Sequence, residues 1–105
     1  MATVELISSM AEHIVRHFDP LRIVLFGSHA RGDADPGSDV DLLVVLPEVA
    51  DKRQAAIAIR RSLVTWPVSK DIIVTTPDEI ARRGHLVGTV LRPALREGKV
   101  LYERG

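Results

Sequence analysis

Gly27-Ser28-His29-Ala30-Arg31-Gly32, followed shortly by Ser38-Asp39-Val40-Asp41-Leu42, carries both the fold and the chemistry of this chain. Val40 to Leu46 is an apolar, β-branched run stopped by Pro47, which reads as a strand. Asp39 and Asp41 are two residues apart at its start, so both carboxylates leave the same face. Side by side they repel one another unless a cation stands between them. Mg²⁺ is a hard ion that takes one or two carboxylates and completes its shell with substrate phosphates, so the pair fits a metal–nucleotide complex. Before it, Leu21 to Phe26 is a second short strand closed by Gly27. Ser28 to Pro36 is small and polar, with room for one helical turn at its start.

Outward on the C-terminal side, Ala50 to Thr65 repeats Ala, Ile and Leu at helical steps and ends before Pro67, and Asp71 to Thr75 forms a third strand. A helix between two strands makes the crossover that renders them parallel, and parallel neighbours start at the same edge. Asp71 opens its strand as Asp39 and Asp41 open theirs, so the three converge. Three carboxylates can hold two ions roughly 3.5–4 Å apart, clamping the attacking and leaving oxygens of an in-line displacement. If the Leu21–Phe26 strand runs antiparallel to the Asp39–Asp41 strand, Gly27 and Ser28 reach that edge too. Gly27 admits close approach of a ligand, Ser28 offers a hydroxyl and an N–H, and Arg31 would hold β- and γ-phosphates, with Gly32 freeing the turn. Leu43 and Val45 continue the aspartate face and are expected to extend the cleft floor toward a docked partner.

The flanks complete the pattern. Val4, Ile7, Met10, Ala11, Ile14, Val15 and Phe18 form a helical stripe ended by Asp19-Pro20. Thr76 reads as the N-cap of a helix with Pro77 at its first position. After Gly84 a further helix is expected over Thr89 to Glu97, with Gly98 as its stop, and Val100 to Tyr102 as a short edge strand. The order α-β-(α)-β-α-β-α-α-β belongs to the α/β (α+β) class, a small mixed sheet flanked by helices, with residues 1–105 as one domain. The 105 residues are 46% hydrophobic and 27% charged, as in ordinary globular proteins. Lysine plus arginine and aspartate plus glutamate number 14 each, which argues against a protein that coats nucleic acid. Without cysteine, thiolate metal sites and cysteine nucleophiles are excluded. No basic segment leads into a long apolar one at the N-terminus, and the longest apolar run is too short to cross a bilayer. The expected compartment is therefore the cytoplasm, with no membrane association.

The run GSHARGDADPGSDVDLLVV resembles the Gly-Ser, ten residues, Asp-x-Asp signature of the DNA polymerase beta-like nucleotidyltransferase superfamily. The details Ala30-Arg31-Gly32 and Ser38-Asp39-Val40-Asp41-Leu42 look most like its MNT branch of minimal nucleotidyltransferases, and Asp71 and Gly98-Lys99-Val100-Leu101-Tyr102 also fit. The resemblance implies the polymerase-beta-like fold and transfer of AMP from ATP to a hydroxyl. In it, Asp39 and Asp41 bind two Mg²⁺ ions, Asp71 binds one of them and helps deprotonate the acceptor, and Gly27 and Ser28 grip the triphosphate. It further implies an antitoxin whose acceptor is a tyrosine of an all-helical HEPN ribonuclease toxin. His29 departs from the arginine frequent at that position.

Two other functions fit the same residues. One is a binding module that neutralises a partner by occlusion, although occlusion alone gives no reason to cluster like charges. The other is a small-molecule, aminoglycoside-type adenylyltransferase, although the stretch after Asp71 is short for an acceptor-binding domain. His13 and His17, four apart on the first helix, have metal-pair spacing but no third ligand and read as a solvated face. Trp66 reads as packing, Arg60-Arg61 and Arg82-Arg83 as solvated helix ends open to a partner, and His85 has no evident partner.

Overall fold

The N-terminal apolar stripe winds as α1 (Val4–Phe18), burying Ile7, Met10, Ala11 and Ile14 on one face. Asp19 ends it in the left-handed conformation at φ 50°, its N–H donating to the Val15 carbonyl at 3.2 Å. The computed structural model describes residues 4–35, 37–83 and 91–104, the side chains of 91–93 excepted. The remaining elements are β1 (Arg22–Phe26), α2 (Ser28–Arg31), β2 (Val40–Val45), α3 (Lys52–Ser62), β3 (Lys70–Thr75), α4 (Pro77–Arg83), α5 (Leu91–Glu97) and β4 (Lys99–Glu103). Pro36, Gly84, His85 and the first two residues of the helix expected over residues 89–97 lie outside the described residues.

The sheet has the order β3-β2-β1-β4. β2 and β3 are parallel, as the α3 crossover requires, and β1 is antiparallel to both β2 and β4. The result is a mixed sheet in an α/β arrangement. On one face, Ile23 and Leu25 of β1, Val40, Leu42 and Val44 of β2, and Ile72 and Val74 of β3 pack beneath α1, Ile59 of α3 and Leu63 just past its end. Each such side chain contributes about 1.5–3 kcal/mol when fully buried, so this layer holds the sheet flat against its helices. On the other face, Val24, Leu43 and Ala94 of α5 form a smaller cluster with Phe26, Ile73 and Leu95.

Several element ends differ from expectation for local reasons. α3 begins two residues later than Ala50 because Asp51 is its N-cap, accepting from the Gln54 N–H at 3.1 Å. It ends before Thr65 because Leu63 and Val64 donate to Arg60 and Arg61, tightening the chain into turns. Thr76 caps α4 as expected, its hydroxyl accepting from the Glu79 N–H at 3.2 Å. Gly98 follows α5 without a left-handed φ. A Cβ there would collide with Val24 and the Ala94 carbonyl, so its role is close packing of the α5 end on β1.

Candidate active site

β1 delivers its C-terminal end, and β2 and β3 their N-terminal ends, to one edge of the sheet. There Asp41 is the register partner of Phe26 on one side and of Asp71 on the other. Partners in one register share a face, so the Asp41 and Asp71 carboxylates leave the sheet together, on the face opposite α1 and α3. Asp39, two residues earlier, is exposed at the entry to β2. Half-burial pushes the Asp41 carboxyl above its ordinary value, and the negative charges of Asp71 and Asp39 push it further. His29 and Arg31 pull the other way without cancelling the rise. The three aspartates are therefore electrostatic neighbours, with two cationic or polar groups facing them.

Gly27 takes φ 75° and ψ −156°, a conformation open essentially to glycine. A Cβ at this position would run into Oδ2 of Asp41, so the absent side chain is what lets the Asp41 carboxylate lie over the β1–α2 turn. Gly27 is also the N-cap of α2 and makes no side-chain capping bond. Ser28 is then the first residue of the turn rather than its cap. Ala30, buried, pins this single turn to the core, and Gly32 at φ 85° ends it.

From α2 the chain passes to Asp39 through a turn closed on itself. The Ser38 hydroxyl accepts from the Asp35 N–H at 3.0 Å, and Asp35 Oδ1 accepts from the Gly37 N–H at 2.9 Å and from the Ser38 hydroxyl at 3.2 Å. His29 Nε2 donates to the Ser38 carbonyl at 3.3 Å, tying α2 to the residue before Asp39. Arg31 is half exposed and its Nε donates to Asp33 at 3.2 Å.

The edge thus assembles Gly27, Ser28, Arg31, Asp39, Asp41 and Asp71. It does not include Leu43 and Val45 as an open floor. Leu43 is fully buried against Val24 and Ala94, because α5 covers that face, and Val45 is buried as well. The sequence identifies the face these residues share but not the helix that seals it. His13 also departs from a purely solvated reading. Its ring lies 4.3 Å from His17 and edge-on to Trp66 at 5.2 Å, and burial, followed by the charges of His17 and Arg16, lowers its pKa. Trp66 packs against the core as expected. Arg60, Arg61 and Arg83 are exposed at helix ends, and Arg82 pairs with Asp78 at 2.9 Å.

Among the described residues, no three His, Cys, Asp or Glu side chains form a ready-made metal cage. An ion that draws part of its shell from nucleotide phosphates does not need one. The donor chemistry fits a hard divalent cation: oxygen ligands only, with mutual repulsion that neighbouring groups leave unbalanced. A groove of about 670 Å³ lined by Pro47, Lys52, Thr76 and Glu79 sits at the opposite end of β2 and β3, away from these carboxylates. Among the described residues, no helix is long and apolar enough to cross a membrane.

A Gly-Ser turn and convergent aspartates thus share one edge of a mixed sheet. The chain belongs to the nucleotidyltransferase domain family, whose model matches residues 7–97. It is 57% identical over 28 residues to a protein of Methanocaldococcus jannaschii provisionally named a protein adenylyltransferase, a match covering 27% of this chain and 28% of that protein. The matched part is less than a third of that relative's length. A provisionally named nucleotidyltransferase from Sulfolobus solfataricus superposes with a TM-score of 0.66 at 22% identity, over 95% of this chain and 79% of that one. A toxin–antitoxin structure with AMP-PNP gives a TM-score of 0.66 at 21% identity, covering 92% and 73%. A mutant of the toxin–antitoxin pair MntA–HpeT gives 0.66 at 19%, again covering 92% and 73%. At these identities the likeness is one of fold.

Proposed function

We propose that this chain, acting as one domain over residues 1–105, transfers AMP from ATP to a hydroxyl of a protein partner, and that it does so in the manner of an MNT antitoxin. The observation that carries the reading is the register that sets Asp41 beside Asp71, with Asp39 adding to the same negative field. Asp39, Asp41 and Asp71 would hold two Mg²⁺ ions. Bound there, such ions neutralise phosphate charge and draw electron density from the α-phosphorus and the acceptor oxygen.

The chain's own residues then bind, orient and take up a proton. Gly27 seats the Asp41 carboxylate against the β1–α2 turn, where the backbone of Gly27 and Ser28 would grip the triphosphate, and the Ser28 N–H, in the first turn of α2, has no intrahelical acceptor to compete for it. Arg31 exchanges the Asp33 carboxylate for the β- and γ-phosphates, a charge-assisted contact to a more highly charged anion. Asp71, exposed on the outer strand, would take the acceptor proton. The acceptor oxygen bonds to the α-phosphorus, the bond to the bridging oxygen breaks, and pyrophosphate leaves.

The acceptor is a tyrosine of an all-helical HEPN toxin. Support for a protein acceptor comes from the name of the Methanocaldococcus relative, and support for a toxin from the toxin–antitoxin neighbours, one of which carries AMP-PNP. The reading is tested by incubating the chain with ATP labelled at the α-phosphorus, Mg²⁺ and a HEPN-type toxin. Label on that partner, lost with Asp41→Asn, supports the reading. Neutralisation of the partner without label supports occlusion instead.

A further inference from the structure

We propose that His29 is a positioning residue for the metal-binding carboxylates: its Nε2–H···O=C bond to Ser38 fixes where Asp39 enters the site relative to the α2 turn. The inference rests on the nucleotidyl-transfer reading but concerns a residue that reading leaves without a role. Asp39 precedes the first residue of β2, so the sheet ladder does not hold its own position. Val40 is the first residue anchored, its N–H donating to the Ser69 carbonyl at 2.9 Å. What constrains Asp39 from the other side is the turn ending at Ser38.

That turn is held internally by the Asp35 and Ser38 bonds, which make it a unit but do not attach it to the rest of the site. Among the described residues the attachment is His29, nine residues back, reaching the Ser38 carbonyl at 3.3 Å. His29 lies on the same single helical turn as Ser28 and Arg31, and that turn is pinned to the core by Ala30. The bond therefore couples the triphosphate side of the site to its carboxylate side through one donor and one acceptor. The acceptor is a backbone carbonyl, so the donor nitrogen must be protonated, and the tautomer is fixed by the contact. Groups that orient metal ligands in this way set how well the ligands grip the ion.

The test is calorimetric binding of α,β-methylene-ATP, which cannot transfer AMP, with and without Mg²⁺. For the unaltered protein, Mg²⁺ should tighten nucleotide binding. His29→Leu should lose that Mg²⁺-dependent gain by about tenfold, the usual scale for a residue that orients a metal ligand, while Mg²⁺-free binding stays unchanged. His29→Gln, whose amide N–H extends to the position of Nε2, should restore most of the gain. His29→Asn, one carbon shorter, should not. In an Asp39→Asn background, exchanging His29 should have no further effect, a non-additivity that general destabilisation would not produce. If His29→Leu does not fold, the Gln and Asn variants carry the comparison. A Mg²⁺-dependent gain equal in His29→Gln and His29→Asn, or unaltered in His29→Leu, overturns the inference. Absence of any Mg²⁺-linked nucleotide binding in the unaltered protein would instead remove the function proposed above.

Discussion

Asp41 and Asp71 are paired residues of the parallel β2–β3 ladder, two carboxylates held side by side by backbone register alone. No ion pair to either is formed among the described residues. The arrangement costs the apoprotein stability and is useful only when a cation is brought to it.

Asp41→Asn should therefore lower transfer by about 10²–10³-fold, the scale of losing one charge-stabilising group, while raising the stability of the apoprotein. The sign follows from linkage. The Asp41 carboxyl is raised above its ordinary 3.8, so the folded chain binds this proton more tightly than the unfolded one. Its ionisation then costs stability as the pH rises from that ordinary value through the raised one. Thermal melts should show the variant gaining on the parent over that rise and matching it below. A variant less stable at neutral pH would contradict the account.

Gly27→Ala should destabilise the fold by about 1–3 kcal/mol, since alanine must enter a glycine conformation at φ 75°. It should also displace the Asp41 carboxylate, which lies where the new methyl would go. Denaturant melts and Mg²⁺-dependent nucleotide binding should both fall. Retained binding at lowered stability would separate Gly27 from the site.

Arg31→Ala should weaken ATP binding more than Ser28→Ala does, because a charge-assisted contact to phosphate is roughly twice as strong as a neutral one. Arg31→Lys should recover only part of the loss, lacking the bidentate fork. Asp33→Asn should do the reverse and tighten ATP binding slightly, since it releases the Arg31 guanidinium. Titration with ATP distinguishes these cases.

A control lies at the other end of the sheet. Glu79 accepts from Lys52 and from the Thr75 hydroxyl, and these two bonds hold its carboxyl below the ordinary 4.5. Its stabilising contribution is present above that value and is lost as the pH falls through the depressed one. Glu79→Gln should cost about 1–2 kcal/mol, the half-exposed Lys52 reducing the effect, and should leave nucleotide binding intact. A large loss of binding would move the site toward the groove beside Glu79.

The strands, and the parallel direction of β2 and β3, were legible because the chain states them locally, whereas the antiparallel direction of β1 was only a condition that the structure meets. Gly27 and Pro47 bound apolar runs, and a helix between Asp41 and Asp71 permits little besides a parallel crossover. Spacing therefore carried the convergence of the aspartates. Long-range packing was not legible in the same way. The burial of Leu43 depends on α5, some fifty residues later, settling on that face. The bond from His29 to Ser38 depends on a turn whose shape no periodicity encodes. Gly98 stops α5 as expected, but the reason a glycine stands there, the close approach of Ala94, Val24 and Leu25, was not legible.

The central claim is that convergent carboxylates transfer a nucleotide to a partner protein. Its most direct measurement is the mass of a HEPN-type toxin after co-expression with this chain or with Asp39→Asn. The account predicts one or more added AMP groups on a tyrosine with the unaltered chain, none with Asp39→Asn, and toxicity returning as the modification disappears. A partner that stays unmodified and is silenced equally well by both proteins would contradict it.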